Sequence, residues 1–386
     1  MGGKKWTKVW VQLVVIVFVI VGGFNYVIDP YGIYKTSYFN FEKIKQSEKI
    51  QLIKAIKVKE IKPRSIVLGN SRTEFGYDPR HDYFEKPSYN FGTSGSSMYE
   101  VGLNFQWALA QGNLKQVLLV VDYRMFNSKA MKSLKDFESN FDDKSIYSYL
   151  FSMDTLKDSV LTARGAGELQ VFYLENGQRE HTINWKSIVK DGGHLEAMNK
   201  YESLYYEGYP TNYRYKDTGK NSFSDFEEII KLCYENNILV DIVFGPSHIR
   251  QWESLNYFLG FDKWLKWKKD IVLSVDKISK QYKKKQYRIF DFSVYHELTA
   301  EEVPKDKNVM MKYHWEGIHY KHELGVIVLD RLKGLKVFED FGTPVDLSNI
   351  DLHLQQQMIK RSQFIDIEEY QKSVFTKLIG DNRGIR

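Results

Sequence analysis

The sequence predicts an α/β fold: a central, mostly parallel sheet with helices on both faces, three layers in all, preceded by one transmembrane helix. Three observations carry that expectation. Residues 9–28 form an uncharged apolar run. Short apolar runs at 65–69, 117–121, 239–244 and 288–292 have the composition of strands buried in a parallel sheet. Between them lie stretches whose apolar residues recur at helical spacing, the alternation that produces a parallel sheet.

The first element is the membrane anchor. At about 1.5 Å per residue, 9–28 spans roughly 30 Å, the thickness of a bilayer's hydrocarbon core. A cleaved signal would have a shorter apolar core and a small-x-small site; Gly22-Gly23-Phe24 fits that pattern poorly. Lys4, Lys5 and Lys8 precede the span and Asp29 closes it, which places the N-terminus in the cytoplasm and the bulk of the chain outside the cell membrane. The expected division is 1–28 for the basic stub and anchor, then 29–62 for a juxtamembrane turn and amphipathic helix. An α/β domain follows at 63–336, with an aromatic-rich insertion at 124–220 covering one end of the sheet, and a helical tail at 337–386.

Within that division, Asp29-Pro30-Tyr31-Gly32 is a turn signal and 41–62 reads as an amphipathic helix stopped by Pro63. Residues 94–110 open on serine caps and continue with helical period to Gly112. Further helices are expected at 146–163, 223–236, 261–280 and 321–335, and a strand-like piece at 88–91. The tail reads as a peripheral wrap with one polar helix and a frayed end.

Composition excludes some functions. The net charge of +6 is spread through the chain, and Lys283-Lys284-Lys285 reads as a solvated helix end, so no nucleic-acid surface is expected. A single cysteine, Cys233, rules out an intramolecular disulfide and a Cys-based metal cluster. No His-Glu-x-x-His helix or Asp-rich set is present, so no metal is expected, although His314 stands close to Glu316 and His319.

Two fragments carry chemistry. In 66–79, IVLGNSRTEFGYDP, Ser71 follows a buried strand, where open α/β sheets place functional groups. In 313–332, YHWEGIHYKHELGVIVLDRL, Glu316 precedes His319 by three residues, the spacing at which a carboxylate can orient an imidazole. Taken singly, the first reads more simply as a turn serine and the second as a surface ion pair. His248 follows the strand at 239–244 and faces the same sheet edge, either as a substrate contact or as a loop residue. Arg72 could steer a polar sugar group or cap a helix. The aromatic stretch 200–215, YESLYYEGYPTNYRYK, is packing or a sugar-binding surface.

Taken together, the two fragments resemble the SGNH (GDSL-like) hydrolase superfamily, with Gly69-Asn70-Ser71 as the nucleophile block and Glu316-Gly317-Ile318-His319 as the acid–base block, Glu standing where the family has Asp. Asp29-Pro30-Tyr31-Gly32, Gly69-Asn70-Ser71-Arg72 and Trp315-Glu316-Gly317-Ile318-His319-Tyr320 also resemble the membrane-anchored branch that includes the polysaccharide O-acetyltransferases of alginate and cellulose systems. The resemblance implies Ser71 as nucleophile, His319 as general base and Glu316 as orienting carboxylate. It implies an oxyanion hole from the amides of Ser71 and of Gly95 or Gly92 in NFGTSGSS. The family's third block, an asparagine, is unmatched: Asp122-Tyr123-Arg124 stands there, with Asn127 further on. Asn70, Arg72 and His248 are expected near substrate. The implied activity is O-acetylation of an exported polysaccharide, with no cofactor. The acetyl group would come from a carrier or a membrane-bound O-acyltransferase partner associated with the export machinery. An O-acetylesterase with the same triad, or a non-catalytic glycan-binding or assembly subunit, are the alternatives.

Overall fold

The structure is a computed structural model that describes residues 2–36, 38–39, 41–43, 45–133, 137–142, 145–165, 173–204 and 212–366. The chain divides into two units: Met1–Glu60 with Asp136–Tyr173, and Ile61–Lys135 with Leu174–Arg386. The insertion expected at 124–220 is therefore split. Its middle joins the N-terminal unit and its flanks join the α/β unit.

In the first unit, helix Gly2–Ile28 contains one stretch, Lys5–Ile28, long and apolar enough to cross a membrane. The side chains of Val9 to Ile20 are largely exposed, as a lipid-facing surface would be. Its last turns are packed differently. Gly22 faces the Phe151 ring, and Asn25 is fully buried, donating to the Leu150 and Ser152 carbonyls and accepting from Ser159 Oγ. A buried amide that finds all its partners costs little, and here it ties the helix to the flank of helix Met153–Ala163. The Asp-Pro-Tyr-Gly turn has a physical cause. Asp29 accepts from the Ile33 and Tyr34 amides, while the Tyr31 hydroxyl donates to Asp158 at 2.6 Å.

The α/β unit is built on a six-stranded sheet. Its strands are β1 (Ser65–Leu68), β2 (Ser88–Asn90), β3 (Gln116–Val121), β4 (Leu239–Phe244), β5 (Arg288–Asp291) and β6 (Thr343–Pro344). They lie in the order β2-β1-β3-β4-β5-β6. The first five run parallel, and β6 pairs antiparallel with β5. Val67, Leu118, Val243 and Phe290 supply one layer of the core, closed by Leu324 and Val328 of helix His322–Lys333. Near-continuous burial of the inner strands explains why they read as unbroken apolar runs.

Helix Met98–Ala110 begins where the serines indicate, with a Ser97–Glu100 capping box, and packs on helix Ser222–Glu235, which in turn packs on helix Phe261–Tyr282. The short helix Ser71–Gly76 packs instead on His322–Lys333. The tail is more than a peripheral wrap. It supplies β6, and in helix Ile350–Phe364 the His353 Nε2 reaches Asp291 at 2.9 Å while Gln357 accepts from the Tyr295 amide. Residues 367–386, including the expected frayed end, lie outside the described residues.

Candidate active site

Ser71 opens a helix immediately beyond β1. Asn70 is the cap of that helix, accepting from the Arg72 amide at 3.1 Å, and its amide group donates to Asp122 at the end of β3. The order 2-1-3-4-5 reverses direction between β1 and β3, so the serine stands at the topological switch point, where open sheets form their crevice. Gly69 allows this turn. Its φ is +154°, and a Cβ there would press on the Val120 carbonyl.

Residues 313–321 form a narrow antiparallel loop, with Lys321 N–H donating to the Tyr313 carbonyl and Trp315 N–H to the His319 carbonyl, both at 2.8 Å. The loop presents His319 to Ser71, and Ser71 Oγ lies 2.7 Å from His319 Nε2. His319 Nδ1 is hydrogen-bonded to Glu316 Oε1. Because the carboxylate can only accept, Nδ1 carries the proton and Nε2 presents its lone pair to the serine hydroxyl. Glu316 is buried and folds back on its own loop, accepting from the Ile318 amide at 2.7 Å and the His319 amide at 3.2 Å. These two bonds fix the longer side chain, so the extra methylene is absorbed by a carboxylate that caps the loop.

Contact between the two halves is made by glycine. A Cβ on Gly325 would overlap the Gly76 carbonyl oxygen, and one on Gly76 would overlap the Tyr320 ring. The serine helix and the helix after the histidine loop therefore meet backbone to backbone. The loop is also braced from the segment after β4, where the His248 amide, at the cap of helix Ile249–Leu259, donates to the Gly317 carbonyl at 3.1 Å.

Of the expected oxyanion donors, the Ser71 and Gly95 amides make no hydrogen bond among the described residues. Gly92 is a correction. Its amide donates to Asn90 Oδ1 at 3.1 Å, and a Cβ there would overlap Thr73 Oγ1, so it serves close packing and not the hole. The third block contributes no donor either. Asp122 is an acceptor that caps helix Tyr123–Phe126, and the Asn127 amide is buried and donates to the Tyr123 carbonyl.

The expected substrate contacts Asn70, Arg72 and His248 each have partners within the protein. Asn70 accepts from the Arg72 amide in its own turn and donates across to Asp122 beyond β3. Arg72 is buried, with Nε 3.7 Å from Asp122. His248 is buried with Nδ1 accepting from the Arg250 amide and Nε2 donating to the Glu301 carbonyl at 2.7 Å. Burial and the neighbouring His314 push its pKa well below the ordinary value, so the ring is a neutral structural brace. His314 pairs with Glu301 at 3.1 Å, away from Glu316 and His319.

Sequence reasoning missed the surroundings of His319. Phe75 packs at 5.1 Å and Tyr201 at 6.2 Å between ring centroids, and the Arg179 guanidinium lies over the buried Phe75 ring at 4.4 Å. Tyr201 belongs to helix His194–Leu204 of the insertion, whose Met198 sulfur lies beside Gly317. The only legible hint was the tyrosine-rich composition of 200–215, and residues 205–211 of that stretch lie outside the described residues. A cavity of about 400 Å³ opens at the amino ends of β3, β4 and β5, beside Gln116, Leu239 and Arg288, on the opposite edge from this chemistry.

A serine hydroxyl donating to an imidazole whose other N–H is held by a buried carboxylate is the relay that general-base activation of serine requires. No protein-family model matches the chain, and comparison with curated proteins finds no match.

Proposed function

We propose that the chain is a membrane-anchored serine acyltransferase whose domain lies outside the cytoplasm and O-acetylates an exported polysaccharide. The observation that carries this reading is the Ser71–His319–Glu316 relay, with 2.7 Å between hydroxyl and imidazole. Its support includes the switch-point position of Ser71, the apolar N-terminal helix, and the resemblance of both site motifs to the SGNH acetyltransferase branch. The strand order 2-1-3-4-5 is also one that right-handed crossovers would flank with helices on both faces, which supports the three-layer reading.

His319 Nε2 takes the hydroxyl proton as Ser71 Oγ attacks the donor's acyl carbonyl. The Ser71 and Gly95 amides receive the oxyanion. Collapse expels the donor's leaving group, which takes the proton from His319, and leaves Ser71 acetylated. A sugar hydroxyl then attacks the ester, giving its proton to His319. As the bond to Ser71 Oγ breaks, that oxygen takes the proton from His319, so the acetyl sugar departs and Ser71 is restored. Tyr201, half-buried beside His319, offers an aromatic face for the incoming sugar ring. No cofactor is needed in this cycle. The acetyl group must be delivered across the membrane by a carrier or a membrane-bound O-acyltransferase partner.

The purified chain is expected to hydrolyse a chromogenic acetyl ester and to be labelled by a fluorophosphonate. Ser71→Ala should lose labelling and on the order of 10⁶ in turnover. With an oligosaccharide acceptor present, mass spectrometry should find acetyl on the sugar. Acetate release without sugar acetylation would make the protein an esterase, and identical behaviour of wild type and Ser71→Ala would end both readings.

A further inference from the structure

A second cluster of ligating side chains lies beside the triad loop, and the relay does not use it. His181 stands at the start of helix Thr182–Lys190, and His322 and Glu323 open helix His322–Lys333. The two Nδ1 atoms face each other at 3.3 Å, and His322 Nδ1 lies 3.4 Å from Glu323 Oε2. One ligand atom from each of the three residues falls within 4.8 Å of the others. Two imidazole nitrogens turned toward each other share at most one proton, in a long hydrogen bond. A tetrahedral zinc ion with bonds of about 2.0–2.1 Å separates neighbouring ligand atoms by about 3.3 Å, close to the two short separations found.

We propose that His181, His322 and Glu323 bind a zinc ion. Two imidazoles and one carboxylate favour zinc over magnesium or calcium, which take oxygen sets. The side chains of His322 and Glu323 are partly exposed, so the ion can enter from solvent and keep water in its fourth position. Lys321 Nζ lies 3.5 Å from Glu323 Oε1, which leaves Oε2 for the metal. The site is structural. The His181 ring packs on Trp315 at 5.5 Å, the residue before Glu316, and His322 follows His319 by three. An ion here pins the start of helix Thr182–Lys190 to the helix that leaves the triad loop. Motif spacing could not reveal it, because His181 is 141 residues from His322.

This inference is independent of the acyl-transfer reading, and its test measures metal alone. The full chain, purified in detergent without a histidine tag and stripped with chelator, is titrated with zinc chloride by calorimetry. Cobalt chloride replaces zinc for the visible spectrum. One equivalent should bind, with the strong absorption of four-coordinate cobalt. His322→Ala and the near-isosteric Glu323→Gln should each weaken binding about 100-fold or more, exceeding the usual cost of losing an outer-shell partner. His81→Ala, which removes a histidine paired with Asp330 instead, should bind as wild type does. No zinc bound by the stripped wild type, unchanged binding in either ligand variant, or an equal loss in His81→Ala would overturn the proposal.

Discussion

Glu316 reaches His319 by a route that aspartate could not follow. Its two oxygens receive the amides of residues 318 and 319 as well as the imidazole N–H, so the loop is shaped around the longer side chain. Shortening it by one methylene moves the carboxylate by about 1.5 Å. Misplacement on that scale costs about 10² in rate. Glu316→Asp should therefore lower acyl-transfer turnover about 100-fold, even though aspartate is the commoner residue of the resembling family. Glu316→Gln keeps the length and removes the charge that selects the tautomer, and should cost on the order of 10⁴. Steady-state rates on an acetyl ester check both, and an Asp variant as active as wild type would mean that the loop tolerates either length. Ser71, His319 and Glu316 were legible because their motifs are local in sequence. Phe75, Arg179 and Tyr201 were not, because aromatic packing around a ring leaves no spacing signature.

Between elements, the decisive contact is the one at Gly76 and Gly325. Helix Ser71–Gly76 carries the nucleophile, and helix His322–Lys333 follows the base, so the depth of their contact sets the distance between Ser71 and His319. Gly325→Ala places a methyl group where the Gly76 carbonyl now sits. The expected cost is about 1–3 kcal/mol of stability from overpacking, together with a fall in turnover larger than that of other substitutions of equal destabilisation. Thermal unfolding and ester hydrolysis measured on the same preparation check this. A stable variant with full activity would mean that the helices can separate without moving the relay. The strands of the parallel core were readable to within a few residues, since β-branched runs act locally. The helix expected over 41–62, however, is α-helical only from Ile50, that over 146–163 is broken in two, and helix Ile249–Leu259 was not read. The need for glycine at 325 was not legible, because the residue it meets is almost 250 positions away.

Across the α/β unit, helix Phe261–Tyr282, β5 and the C-terminal helix are joined by a buried ion network. Lys268 Nζ donates to Asp291 at 2.7 Å and to the Ser293 carbonyl at 3.0 Å, and His353 completes it. Burial alone would raise the Asp291 carboxyl, but Lys268 and His353 outweigh it and hold the pKa at about 2. The folded value is below the ordinary value of about 3.9, so the stabilisation is full above that pH and is lost as pH falls through 2. Lys268→Met should strand the buried carboxylate and cost about 3–5 kcal/mol at neutral pH. Denaturant unfolding from pH 7 to pH 3 should show that gap narrowing as the stranded carboxyl takes up a proton. The tail's part in this network could not be read from sequence, since a polar helix with a lone histidine gives no sign of what its buried face meets. The central claim, that Ser71 becomes acylated, is tested most directly by intact-protein and peptide mass spectrometry of the full chain quenched during turnover of an acetyl ester. One acetyl group on the peptide that contains Ser71, absent in Ser71→Ala and accumulating in a variant whose His319 is replaced by Gln only far more slowly, is the predicted result. An unmodified Ser71 in wild type that nevertheless turns over the ester, or an acetyl group that persists in Ser71→Ala, would contradict it.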